Sequence, residues 1–147
     1  MSRFLLACKA LLLSAVAALA LPQAFAADDD AIKVVYHMSE GVAQATRSIN
    51  NIRNHLNADP KAKIVVVTHG PGIDFLIEGA TNQAGQSFSG GIGELAGRGV
   101  EFYVCNNTLT TRQLDASKLV MEAKVVPSGV AEVARLQARE GYVYLRP

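Results

Sequence analysis

The chain has only two cysteines, Cys8 and Cys105, and neither sits in a Cys-x-x-C pair or any other close set of ligands. A structural zinc site normally shows such pairs. Their lack argues against a resident metal, even though Cys105, His69 and His37 are residue types that zinc or copper use. No other cofactor is indicated. Charge of one sign is also missing, since 14 Lys and Arg face 13 Asp and Glu. A near-neutral chain presents no electrostatic footprint for nucleic acid or an anionic membrane, which leaves a small molecule or another protein as partner. Long apolar runs are lacking too: Ala10 to Leu21 is free of charge but too short for a typical spanning helix. There is no internal repeat and no low-complexity tract.

What is present begins with a leader. Arg3 and Lys9 precede the apolar run, and Ala24-Phe25-Ala26 stands just ahead of Ala27 and the acidic Asp28 to Asp30. A positive start, a short apolar core and an A-x-A site make a secretory signal peptide. We therefore expect residues 1–26 as signal peptide, 27–31 as an acidic linker and 32–147 as one compact domain, exported to the periplasm with no membrane span after cleavage. Lipid attachment at Cys8 is discounted because almost no apolar region precedes it. Cleavage takes the basic count from 14 to 12 against 13 acidic residues, one net negative charge. It also leaves Cys105 as the odd thiol in a compartment where cysteines usually pair, so it is buried, redox-active, metal-bound or paired between chains.

The mature chain alternates two periods. Ile32 to Met38, Ile64 to Thr68, Val100 to Cys105, Glu122 to Val126 and Tyr142 to Leu145 read as strands. The first is a mostly apolar run, as suits a strand buried on both faces. Val42, Ala45, Ile49, Ile52 and Leu56 recur at helical spacing from about Gly41 to Asn57, with Ser39 as a candidate N-cap and Asp59-Pro60 as the stop. Short helices follow at Ile73 to Ala80 and around Phe88 to Leu95. Another runs from Thr108 to Leu114 with Asn106 or Asn107 near its cap, and Asp115 caps one further turn. The last helix runs from Val130 to about Glu140 and ends at Gly141. Strictly alternating strands and helices predict an α/β, three-layer sandwich with a mostly parallel sheet of about five strands.

In such a sheet all carboxyl ends of the strands share one edge, and ligands bind in the crevice outside it. That edge collects His37, His69 with Gly70 and Gly72, Cys105 with Asn106 and Asn107, and Ser128 with Gly129. His55 falls near a helix end and reads as solvated. Each candidate has two readings. Cys105 is a nucleophile emerging into a loop, or a small hydrophobe closing a core strand. His69 donates to a carbonyl to hold a tight turn, or faces a ligand; His37 reads as structural. Gly70-Pro71-Gly72 is a plain turn, or aims N–H groups at an anion. Asn106 and Asn107 are cap residues, or amide donors to sulfur.

The segments K-V-V-Y-H, R-N-H-L, I-V-V-V-T-H-G-P-G-I-D, R-G-V-E-F-Y-V-C-N-N-T-L, V-V-P-S-G-V-A-E-V-A-R-L-Q and G-Y-V-Y-L-R-P together resemble the DsrE/DsrF-like family of sulfur-relay proteins, in its exported single-domain branch. The resemblance spans nearly the whole mature chain. It implies a homo-oligomer, a trimer or a trimer-based hexamer, and a cysteine that receives sulfane sulfur as a persulfide and passes it to a partner's thiol. Cys105 alone fits that position. Two departures stand out: the export signal, and the lack of a second cysteine, so the resemblance names neither the sulfur donor nor the acceptor thiol or protein. A different class of function fits the same residues, a non-catalytic binding module holding a small anion, a thiol compound or a metal ion. An oligomer with an inert buried cysteine is the third.

Overall fold

The computed structural model describes residues 31–147; the segment expected to be a signal peptide, Cys8 and most of the expected acidic linker lie outside the described residues. Five strands form one sheet: β1 (Lys33–Met38), β2 (Lys63–Thr68), β3 (Glu101–Cys105), β4 (Ala123–Val126) and β5 (Val143–Leu145). They are ordered β4-β3-β2-β1-β5, and every pairing is parallel. The predicted α/β class and strand number hold. Connecting them are α1 (Val42–Ala58), a 3-10 helix at Gly70–Leu76, α2 (Ser89–Gly97), α3 (Asn106–Arg112), a short 3-10 turn at Ala116–Lys118 and α4 (Gly129–Glu140). None of the described helices is long and apolar enough to cross a membrane.

Strand alternation splits the core into two unequal layers. Val34, Tyr36, Met38, Ile64, Val66, Phe102 and Val104 pack with Ala45, Ile49, Ile52 and Leu56 of α1, with Phe75, and with Ile92 and Leu95 of α2. On the opposite face Val35, Val65 and Val67 form a smaller cluster with Val133 and Leu136 of α4, edged by Tyr103 and Tyr142. Chain direction explains the imbalance. Strands β1 to β4 step one way across the sheet, and only the connection from β4 to β5 travels back along the other face.

Several boundaries differ from the sequence reading for local reasons. Gly41, not Ser39, is the N-cap of α1, because the buried Gln44 side chain reaches back and its Oε1 accepts from the N–H groups of Ser39 (3.0 Å) and Glu40 (2.8 Å). The segment after His69 winds at once as a 3-10 helix. Gly72 lets it press on the end of β1, since a Cβ there would lie 2.2 Å from the Met38 carbonyl oxygen. The third α-helix starts at Asn106 with Cys105 itself as N-cap, so both asparagines are inside it. His55 is not merely solvated: its Nδ1 bonds the Tyr36 hydroxyl at 2.9 Å. Asp115 and Gly141 do cap as read, the latter in the left-handed region at φ 73°.

Candidate functional site

The order of the sheet brings four strand ends into one row. Thr68 pairs with Val104 and Met38 with Thr68, so the residue after β2, His69, falls between the ends of β3 and β1. Cys105, His69, His37 and Tyr144 thus come from four adjacent strands. The turn from β4 into α4 closes over the first two. A Cβ on Gly129 would lie 3.2 Å from the Cβ atoms of both Cys105 and His69, and 3.1 Å from the Thr68 carbonyl oxygen. Only a glycine lets the first turn of α4 settle there.

Of the two placements open to Cys105, emerging into a loop or closing a buried strand, the structure shows the buried one. It is 5% exposed, because α4 starts directly above it. Yet it belongs to neither apolar cluster of the described residues. Burial is the largest influence on the thiol and pushes its pKa up. The N–H groups of Gly129, Thr108 and Asn107 and the Thr108 hydroxyl together outweigh it, and the thiol ends below its ordinary value. Within α3 neither amide makes a fully aligned capping bond to sulfur. They act as donor dipoles converging on a weak acceptor, and such contacts tighten when the acceptor becomes an anion.

Thr108, which the sequence reading passed over as an ordinary helical residue, links this donor set to the glycine turn. Its Oγ1 accepts from the Gly70 N–H at 2.9 Å, and its own proton is left to turn toward sulfur. Gly70 itself sits at φ +54°. Beside these groups an open cleft of about 500 Å³ is lined by His69, Gly70, Pro71, Asn107 and Thr108, with the Arg112–Asp74 ion pair (2.6 Å) at its wall. Asn106 and Ser128 do not line this cleft; Asn106 is exposed at the start of α3, and the Ser128 hydroxyl caps α4 by accepting from Ala131 N–H at 3.4 Å. Gly72 serves packing instead.

The two histidines are bonded to each other. Nε2 of His37 and Nε2 of His69 lie 2.7 Å apart, which requires one proton between them, and Nδ1 of His37 meets the Tyr144 hydroxyl at 2.8 Å. Burial, then His69, then Arg146 hold His37 below the ordinary imidazole range, and burial and Arg146 do the same to His69. His37 thus bridges His69 and Tyr144 through its two ring nitrogens. Among the described residues no three His, Cys, Asp or Glu side chains converge as metal ligands.

An all-parallel α/β domain with a donor-ringed thiol and an imidazole pair along its strand ends is the class that the fold and geometry define. The chain belongs to the DsrE/DsrF-like family, whose model matches residues 13–147. It is similar to MTH1491, a protein of unknown function from Methanobacterium thermoautotrophicum, at 33% identity over 79% of this chain and 99% of that one, with a TM-score of 0.70. The ychN protein from E. coli shares the fold at 12% identity and a TM-score of 0.63, over 80% and 99% of the two chains. No curated protein matches the chain.

Proposed function

We propose that the protein is an exported, oligomeric sulfur carrier in which Cys105 holds sulfane sulfur as a persulfide and yields it to an acceptor thiol. The observation that supports this reading most is the set of donors from Gly129, Thr108 and Asn107, which keeps a 5%-exposed thiol below its ordinary pKa. A cysteine selected only to fill space gains nothing from such a shell, whereas a nucleophile that must be both ionised and a good leaving group gains in each role. With thiosulfate as donor, the Cys105 thiolate attacks the outer sulfur, the S–S bond of thiosulfate breaks, and sulfite departs with the electron pair. Burial suits the product, since a persulfide shielded from bulk oxidant persists longer.

Loading is tested by incubating purified protein with thiosulfate or polysulfide and weighing it intact. One extra sulfur atom, removed by a reducing thiol and missing in Cys105→Ser, is expected. A wild-type protein that gains no labile sulfur while free cysteine does so overturns the proposal. If Cys105→Ser instead retains a bound anion, thiol compound or metal seen by native mass spectrometry, the domain is a binding module.

A further inference from the structure

The row of side chains along the strand ends extends past the thiol to the opposite edge of the sheet, and the sulfur chemistry above does not by itself use that extension. We propose that His69, His37 and Tyr144 form a proton path that takes the proton of an acceptor thiol bound in the cleft and releases it to solvent at β5. This rests on the sulfur-carrier reading.

The geometry is continuous. The Tyr144 hydroxyl lies 2.8 Å from Nδ1 of His37, whose Nε2 lies 2.7 Å from Nε2 of His69. His69 lines the cleft. Its Nδ1 has no partner among the described residues, and no buried side-chain nitrogen or oxygen there is left unpaired, so this atom is open to solvent. At the far end Tyr144 is 37% exposed. One tautomeric arrangement makes the row a base. His69 holds its proton on Nε2 and donates to His37, His37 holds its own on Nδ1 and donates to Tyr144, and Nδ1 of His69 is bare.

A relay is needed because an acceptor in the cleft covers His69. Arg146, which pairs with Glu40 at 3.0 Å, bears on both rings, and the Arg112–Asp74 pair at the cleft wall and Cys105 under Gly129 are the further charged and titratable neighbours among the described residues that bear on the row. A second positive charge trapped on His69 is costly beside Arg146, whereas a proton handed along the row leaves no charge behind. The acceptor R–SH gives its proton to Nδ1 of His69, and its thiolate attacks the outer sulfur of Cys105–S–SH. The S–S bond breaks, its electron pair stays on Cys105 Sγ, and R–S–SH leaves. Meanwhile the Nε2 proton of His69 passes to His37, the Nδ1 proton of His37 to Tyr144, and the Tyr144 proton to water. One proton enters and one departs. The row runs backwards to reset once water refills the cleft.

The test uses protein loaded with polysulfide to the same weighed persulfide content, then unloaded by 2-mercaptoethanol across pH. Tyr144→Phe, which deletes only the exit hydroxyl, is expected to unload about tenfold more slowly, and His69→Gln about a hundredfold, with added imidazole restoring His69→Gln. Unloading of both variants at the wild-type rate overturns the path. A second readout, long-range proton–nitrogen NMR of the histidines in the unloaded protein, is expected to show two rings that titrate as one unit and a His37 tautomer altered by Tyr144→Phe. Independent titration of the rings also overturns it. Wild type that takes up no sulfur sinks the carrier reading and the thiol substrate with it, while coupled rings in the spectrum would still uphold the path itself.

Discussion

Gly129→Ala probes stability and reactivity through one atom. The added Cβ would meet the Thr68 carbonyl oxygen at 3.1 Å and the Cβ atoms of Cys105 and His69 at 3.2 Å, and none of these is the free end of a flexible side chain. The first turn of α4 must therefore lift by a few tenths of an ångström. Overpacking of this kind costs about 1–3 kcal/mol. Against it stands the reduced freedom of the unfolded chain, about 0.4–1 kcal/mol in favour of alanine, so the net expectation is a loss of about 1–2 kcal/mol in urea unfolding. The same displacement pulls the Gly129 N–H away from sulfur. A hydrogen bond to a charged group contributes about 1.5–3 kcal/mol, and losing roughly half of it, about 1.1 kcal/mol, cuts the thiolate population about sixfold. A more basic thiolate is intrinsically more nucleophilic and recovers a little under half of that on a logarithmic scale. Iodoacetamide should then alkylate Cys105 about threefold more slowly at pH 7. If the variant loses stability but keeps the wild-type alkylation profile, the Gly129 amide does not hold the thiolate, and the argument for a tuned sulfur loses its largest favourable contribution.

Gly72→Ala should be worse for stability, because its Cβ would fall 2.2 Å from the Met38 carbonyl oxygen and 2.8 Å from the Ser39 nitrogen, all backbone; a loss of about 3 kcal/mol or more in chemical unfolding is expected. Thr108→Val removes one donor to sulfur and strands the Gly70 N–H, costing about 1–3 kcal/mol and slowing alkylation, while Thr108→Ser should keep both functions. Stability should also fall in mild acid. The folded values of His37 and His69 lie below the ordinary 6.5, so the unfolded chain binds protons that the folded chain refuses. The loss begins as pH drops through 6.5 and levels once the lowered folded values are passed, and His69→Gln should make that limb shallower in pH-dependent unfolding.

The fold was legible because its signals are local. Four β-branched residues at Ile64 to Val67 announce a strand buried on both faces, and α1 carries its stripe at unbroken helical spacing. Strand order, by contrast, depends on the direction in which each connection crosses the sheet, and nothing in the residues of β5 announces that it pairs with β1. That single placement hid part of the site. Tyr144 reads as an ordinary strand residue, and its link to His37 joins positions 107 residues apart. Thr108 looked like one more residue of a short helix because its importance lies in what Gly70 donates to it from 38 residues away.

Cys105 is the more instructive case. The sequence places it where a strand ends, which leaves open whether the thiol emerges into the crevice or closes the core. Its burial comes from a glycine 24 positions later in the chain, which allows α4 to start against the thiol where any larger residue would hold the helix away. One substitution-sensitive contact therefore sets both how hidden the sulfur is and how many donors it faces. The two properties oppose each other, since burial raises the thiol and the amides lower it, and one of those amides, that of Gly129, arrives on the very turn that does the burying. A helix start packed on a thiol brings its free N–H groups with it, so covering Cys105 costs little of its acidity. A loop of the same shape, or a helix arriving by its carboxyl end, would have set the same burial against the α3 donors alone.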